Sequence, residues 1–292
     1  FLGVIGGSGL YAMDGVETVG EETVSTPYGD PSGSITRART KQADLLFLPR
    51  HGVGHTIPPH RINYRANICA LKMLGATHVL AVSAVGSLQE RLEPGMPIAV
   101  DQIIDRTHGR AQTFFDDVVA HVPFGQPVCP LLHHALGLAM DDLPKSVVHE
   151  GTLVVINGPR FSSRAESEMF RAIPANVIGM TSMPEAALAR EAELPYAILA
   201  LITDYDCWHA EHAAVTAGEV AEVMRQNVSI AKTTITELLP LLPNPETSPA
   251  YRCLDAAIMT DFGHGERKEY FDLQERLVPL RWLRPFIGNP KG

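Results

Sequence analysis

The 292-residue chain is poor in cysteine, has no excess of positive charge and contains no long apolar run. Its four cysteines, Cys69, Cys129, Cys207 and Cys253, are scattered without C-x-x-C spacing. That argues against a disulfide framework and reads as thiols of a reducing cytoplasm. Lysine and arginine number 24 against 33 aspartates and glutamates, a net charge of −9. A broad nucleic-acid or anionic-membrane surface is thereby disfavoured, while a small local anion site stays open. No apolar stretch reaches the roughly 20 residues that a membrane helix needs, and no signal peptide is visible. The numbering opens at Phe1 inside a strand-like run, so residues preceding it are expected.

Several motifs are also missing. No G-x-G-x-x-G fingerprint or G-K-[ST] phosphate loop occurs, which counts against a dinucleotide-dependent oxidoreductase. "HAEH" (209–212) is not H-E-x-x-H, and no C-x-x-C accompanies it, so no metal is expected. "DFG" (261–263) lacks the other kinase signatures and is read as chance.

What is present is a recurrence of short, β-rich apolar runs, among them "FLGVIG", "DLLFLP", "HVLAVSAV", "MPIAVDQII", "GTLVVI" and "YAILALITD". Helical patterns lie between them. Residues 62–74 run into Gly75, a helix stop. Ser163 with Glu166 and Ser182 with Glu185 each have capping-box spacing. Thr216 with Glu219 opens a longer helix whose apolar positions, from 220 to 238, share one face. The expected fold is α/β, a single domain with a mixed, largely buried central sheet flanked by helices. The proline-rich "LPLLPNPETSPAY" (239–251) is the clearest break. It suggests a domain over 1–245 and an extension over 246–292 that packs on the core or on a neighbouring subunit.

Four segments carry candidate chemistry. "GVIGGSGL" (3–10) follows a strand, and its glycines and Ser8 fit either a phosphate cradle or a tight turn. "LPRHGVGH" (48–55) puts Arg50 and His51 at a strand end, as an oxyanion fork or as a surface pair. "VSAVGSL" (82–88) offers the Ser83 hydroxyl and following backbone N–H groups. "MTSMPE" (180–185) places Thr181 just before a helix, where it either caps or helps to bind an anion. Strand ends converge in α/β folds, so the four together point to one anion site. Finally, "ITDYDCW" (202–208) ends an apolar run in Asp204 and Asp206. If the strand continues, the two carboxylates share a face about 7 Å apart, and one of them retains a proton. The alternative is a solvated acidic turn.

With these blocks in this order, the chain resembles the trimeric-type purine nucleoside phosphorylases over roughly residues 2–240. Within them it is most similar to the branch acting on 5′-methylthioadenosine. The blocks that carry the resemblance are "GVIGGSGL", "PRHGVGHTIPPHRINYRANICALK", "HVLAVSAVGSL", "DQIIDRT", "GPRFSSRAESEMFR", "MTSMPEAALAREAELPYA" and "TDYDCW". The resemblance implies phosphorolysis to adenine and 5-methylthioribose 1-phosphate, in purine and methionine salvage. Inorganic phosphate is the co-substrate, and no cofactor, nucleic acid or membrane is expected. It implies that Ser8, Arg50, His51, Ser83, the Ala84 N–H and Thr181 hold phosphate. Phe161 would lie near sugar and base, and the Met180 backbone near the ribose hydroxyls. His121 would reach the sugar pocket of an adjacent subunit in a homotrimer or dimer of trimers.

The resemblance implies Asp204 as the acid at purine N7, with Asp206 helping to bind the exocyclic amine. Relatives that prefer 6-oxopurines carry Asn at the Asp204 position and Glu at the Ser162 position. Ala217 stands where enzymes of ordinary nucleosides place a histidine against the 5′-hydroxyl, leaving a dry slot for a methylthio group. Two departures stand out: Ser8 replaces the commoner Thr, and Gly179 replaces a frequent Asn, as in enzymes acting on methylthioinosine. The competing readings are a methylthioinosine or general purine nucleoside phosphorylase and, in a different class, a non-catalytic nucleoside-binding protein.

Overall fold

In the computed structural model, which describes residues 1–10, 13, 15–116, 118–209 and 217–260, the first apolar run, Leu2–Gly6 (β1), lies fully buried between two parallel neighbours. These are Asp44–Pro49 (β4) and His78–Ser87 (β5). Strands buried on both faces read as continuous apolar runs, which is how all three appear in the sequence. Beyond β4 the sheet is completed by antiparallel Ile35–Arg39 (β3) and Glu17–Glu22 (β2). The exposed glutamates of β2 suit an edge that must not pair with other chains.

β5 organises the rest. One of its edges is covered from Val79 to Gly86 by parallel Tyr196–Asp204 (β10), which in turn pairs with antiparallel Pro97–Val100 (β6). The register on β5 slips between Ile202 and Asp204, a bulge at Thr203. The other edge pairs with β1 only through Ala81, and then with antiparallel Val177–Gly179 (β9) at Gly86 and Ser87. Thr152–Ile156 (β8) and Gln102–Arg106 (β7) continue in parallel from β9. Residues 82–85 of β5 are therefore left with no strand on that edge. The run "MPIAVDQII" is two strands, β6 and β7, separated at Asp101, whose carboxylate accepts from Gly151 N at 2.7 Å.

Two helix pairs flank the sheet: Tyr64–Met73 (α1) packs on Ser182–Glu191 (α4), and Pro130–Met140 (α2) on Ala217–Leu238 (α5). Asn63 caps α1, and Gly75 follows it at φ +89°. Arg164–Ala172 (α3) starts with the expected Ser163–Glu166 capping box. The second expected box does not form. Thr181, not Ser182, is the N-cap of α4, without a side-chain hydrogen bond, and Met183 is extended at φ −120°, ψ 132°. The Glu185 carboxylate is drawn away by Arg50, as described below. The Thr216 cap expected for α5 lies outside the described residues, but its apolar stripe is seen in buried Ala231, Ile235 and Leu238. Ala250, Leu254 and Ala257 are buried as well. After them His121 N donates to Ala257 O and Met259 N to Val119 O. Among the described residues, no helix is long and apolar enough to cross a membrane.

Candidate active site

Arg50, Ser83 and Thr181 lie along the unpaired stretch of β5. Arg50, the residue after β4, is buried and fills the space left where β1 stops. Its Nη1 donates to Val82 O at 2.9 Å and its Nη2 to Ile5 O at 3.2 Å. Nε and Nη2 make a two-pronged pair with Glu185, both at 2.9 Å, and Tyr196 Oη donates to the same carboxylate at 2.9 Å. Both partners of this ion pair are almost wholly removed from water, so each is held by the other and neither tolerates its loss. Arg50 is less free to meet an anion than its place in the sequence suggests.

Because Val82 O faces this gap and backbone direction alternates along a strand, the Ala84 N–H faces it too. Ser83 Oγ and Thr181 Oγ1 stand 3.5 Å apart, both buried, which brings the third and fourth candidate segments together. Ser8 begins a short 3-10 turn, Ser8–Leu10, at the end of β1, and its side chain lies outside the described part. His51 Nδ1 donates to Ile57 O at 2.8 Å, leaving Nε2 as an acceptor. The ring stacks on His55 at 4.1 Å. Burial, reinforced by Arg50 and His55, pushes its pKa down to about 4, so it is neutral at pH 7.

The carboxylate pair is not arranged as strand alternation predicts. β10 ends at Asp204, and Asp206 adopts a left-handed backbone at φ +52°. Asp204 Oδ1 accepts from Asp206 N at 2.7 Å, a side-chain-to-backbone turn that reverses the chain. The chain does turn here, but the turn is not the solvated one expected, since Asp206 is buried. Thr203 Oγ1 lies 2.7 Å from Asp204 Oδ2 and 3.2 Å from Val85 O. Its single proton serves one of them at a time, and both contacts are satisfied together when Asp204 carries a proton. Asp206 is buried and Asp204 only partly so. Burial pushes the Asp206 pKa up, opposed in part by the Ser167 and Ser162 hydroxyls and the Cys207 N–H, and supported by Glu166. Those hydroxyls face the carboxylate without reaching hydrogen-bond geometry. Asp206 Oδ2, Ser162 Oγ and Ser167 Oγ are buried polar atoms with no partner, an arrangement suited to a polar ligand.

On the facing wall, Gly158 at φ +60° cradles Met180, and a Cβ there would lie 2.6 Å from Met180 Sδ. Phe161 is 40% exposed beyond it. His121 is exposed, and its described backbone bond runs to the C-terminal segment. Ala217 is the first residue of α5, and its side chain lies outside the described part. The residues that sequence reasoning missed are Glu185 as the partner of Arg50, Tyr196, Thr203, Ser167 and Gly86. A hint existed for one of them. Glu185 is an acid in an otherwise apolar helix start, and a buried acid demands a buried base.

Residues 1–240 match the Phosphorylase superfamily. The chain is 45% identical over 276 residues to the S-methyl-5'-thioadenosine phosphorylase of Geobacter sulfurreducens, covering 93% of this chain and 96% of that one. It is 50% identical over 254 residues to the enzyme of that name from Hyperthermus butylicus, covering 86% and 91%. Among solved structures it resembles a methylthioadenosine phosphorylase from an antarctic soil metagenomic library, with a TM-score of 0.87, 42% identity and coverage of 95% and 98%. A mutant adenosine/methylthioadenosine phosphorylase from Schistosoma mansoni in complex with adenine superposes with a TM-score of 0.82 at 36% identity, covering 88% and 98%. The chain belongs to the phosphorylase superfamily, and its mixed sheet with flanking helices is that of the nucleoside phosphorylases.

Proposed function

We propose that the chain catalyses phosphorolysis of S-methyl-5'-thioadenosine to adenine and 5-methylthioribose 1-phosphate. The observation that carries this reading is the pair Asp204–Asp206 at the mouth of the β5 gap. An aminopurine offers an acceptor at N7 and a donor at its exocyclic amine, so its recognition needs one proton donor and one acceptor. Two carboxyl groups two residues apart, one carrying a proton and the other ionised, supply both. Relatives named S-methyl-5'-thioadenosine phosphorylase and a neighbour solved in complex with adenine support the base assignment.

In this mechanism an oxygen of phosphate attacks C1′ as the C1′–N9 bond breaks. The bonding electrons pass into the purine, and the Asp204 proton meets them at N7. The proton of the incoming phosphate makes up the one delivered, so the base leaves neutral and the sugar phosphate as a dianion. Ser8, Arg50, Ser83, the Ala84 N–H and Thr181 hold the phosphate, with neutral His51 offering Nε2 to its hydroxyl. Asp206 and Ser162 receive the amine side of the base. Met180 and Phe161 line the sugar, and Ala217 leaves room for the methylthio group. No cofactor is required by this chemistry, and the protein works in purine and methionine salvage. We place it in a reducing cytoplasm, in keeping with four free cysteines. We also read it as a homotrimer or dimer of trimers in which exposed His121 serves a neighbouring pocket.

The test is product formation from methylthioadenosine, methylthioinosine, adenosine and inosine, each with and without phosphate. Phosphate-dependent adenine release, fastest from methylthioadenosine, is expected. A preference for the inosine pair would transfer base choice from Asp204 to Gly179, and binding without turnover would favour a non-catalytic nucleoside-binding protein.

A further inference from the structure

The anion site as built has a charge problem. Its arginine, Arg50, is cancelled by Glu185 in a two-pronged buried pair. Its histidine, His51, is neutral. A phosphate dianion placed against β5 would then meet hydroxyls and an N–H but no net positive charge. A second guanidinium lies nearby. Arg110, in the loop after β7, donates through Nη1 to Tyr64 Oη at 3.0 Å and to Met183 O, and through Nη2 to Asn157 O at 2.8 Å. Its Cζ lies over the Tyr64 ring, 5.2 Å from the centroid. All three partners are neutral oxygens, and Nε is buried with no partner. Among the described residues, no carboxylate lies within ion-pair distance of it.

Its place is specific. Met183 is two residues past Thr181, and Asn157 precedes the Gly158 cradle of Met180. The charged and titratable groups that sense Arg110 are Tyr64, Asp105 and Glu185. Tyr64 in turn senses Glu185 and Arg50. Tyr64 Oη accepts from Arg110 and donates to Pro59 O, and both Arg110 and Arg50 act on Glu185.

We propose that Arg110 acts on the phosphate site through its charge, supplying the net positive charge that Glu185 has removed from Arg50. The proposal rests on the phosphorolytic reading given above. Dianions should feel Arg110 more than nucleosides do, since a field acts on net charge and falls slowly through a water-poor interior.

The experiment compares wild type with Arg110→Gln, Arg110→Lys and Tyr64→Phe. It measures KM for phosphate, KM for methylthioadenosine, and the rise in Tm caused by sulfate as a non-reacting dianion. Loss of the charge in Arg110→Gln should raise the phosphate KM about tenfold or more and abolish sulfate protection, with the nucleoside KM within about threefold. Arg110→Lys, which keeps the charge but not the fork, should recover most of the phosphate affinity and sulfate protection. Tyr64→Phe, which keeps the charge and removes one contact, should leave phosphate KM within about twofold. The proposal is overturned by unchanged phosphate KM and sulfate protection in Arg110→Gln. It is equally overturned if both KM values rise together in Arg110→Lys, or if Tyr64→Phe weakens phosphate tenfold. Adenine release by wild type without phosphate would instead overturn the phosphorolytic reading, and the sulfate arm would still judge Arg110.

Discussion

Gly86 and Asp204 are paired across β5 and β10, and a methyl group on Gly86 would stand 2.9 Å from Asp204 Oδ1 and 3.1 Å from Ile178 Cγ2. The glycine is the clearance in which the carboxylate sits. Gly86→Ala should therefore push Asp204 out of place. We expect a loss of about 10²-fold in kcat/KM for methylthioadenosine, the scale of a 1 Å misplacement, with phosphate KM little changed. Steady-state kinetics on the two substrates will check it, and equal activity of the variant would remove the close approach from the mechanism.

Asp204→Asn exchanges an acid for an amide of the same size. Phosphorolysis of aminopurine nucleosides should fall by about 10²–10⁴-fold, the usual worth of a general acid, and relative preference should move toward 6-oxopurines. Competition between methylthioadenosine and methylthioinosine measures that ratio directly. Unchanged activity on both would exclude Asp204 as the proton donor.

Glu185→Gln removes a charge that Arg50 cannot replace. A buried guanidinium left without its carboxylate should cost about 3–5 kcal/mol of stability. Urea unfolding will show this as a lower midpoint. A midpoint equal to wild type would mean that the pair adds nothing net.

Glu191 supplies a pH-dependent contribution. Its carboxyl accepts from Thr113 Oγ1 and Phe114 N, both at 2.7 Å, and burial pushes its pKa from 4.5 up to about 7. A folded pKa above the unfolded one gives stability that is fully present below pH 4.5 and lost as pH rises through 7. Half-buried His51 and buried His78, each held down to about 4, act oppositely and favour the folded state above pH 6.5. The difference in unfolding free energy between wild type and Glu191→Gln isolates the glutamate. It should decline by up to roughly 3 kcal/mol from pH 5 to 8, then level off. A flat difference would show that the carboxyl titrates normally.

The strands of the core were legible because burial on both faces leaves an unbroken apolar run, as in "LGVIG" and "AILALIT". The Ser163 cap was legible because its partner is three residues away. Arg50 and Glu185 lie 135 residues apart, and nothing local in either segment says that one will take the other's charge. For the same reason, local spacing assigned Glu185 to a cap that it does not make. The rule of alternation failed at Asp206 because it presumes a strand, and the Asp204 carboxylate itself ends that strand by capturing the N–H two residues on. Arg110 sits in a glycine-containing loop, where sequence offers no periodicity to read.

On the proposed function, the seam in β5, bordered by β1 at Ala81 and by β9 at Gly86, divides substrate recognition into two mechanical parts. The anion half is built on the main chain of 82–85, to which the Arg50 side chain is itself anchored through Val82 O and Ile5 O. The base half hangs from the end of β10 and the start of α3 on side chains that substitution alone alters. Base preference is thus a replaceable fitting on a fixed frame. If Asp204 and Ser162 select the base as proposed, a lineage that exchanged either would acquire a new purine while leaving the anion half undisturbed.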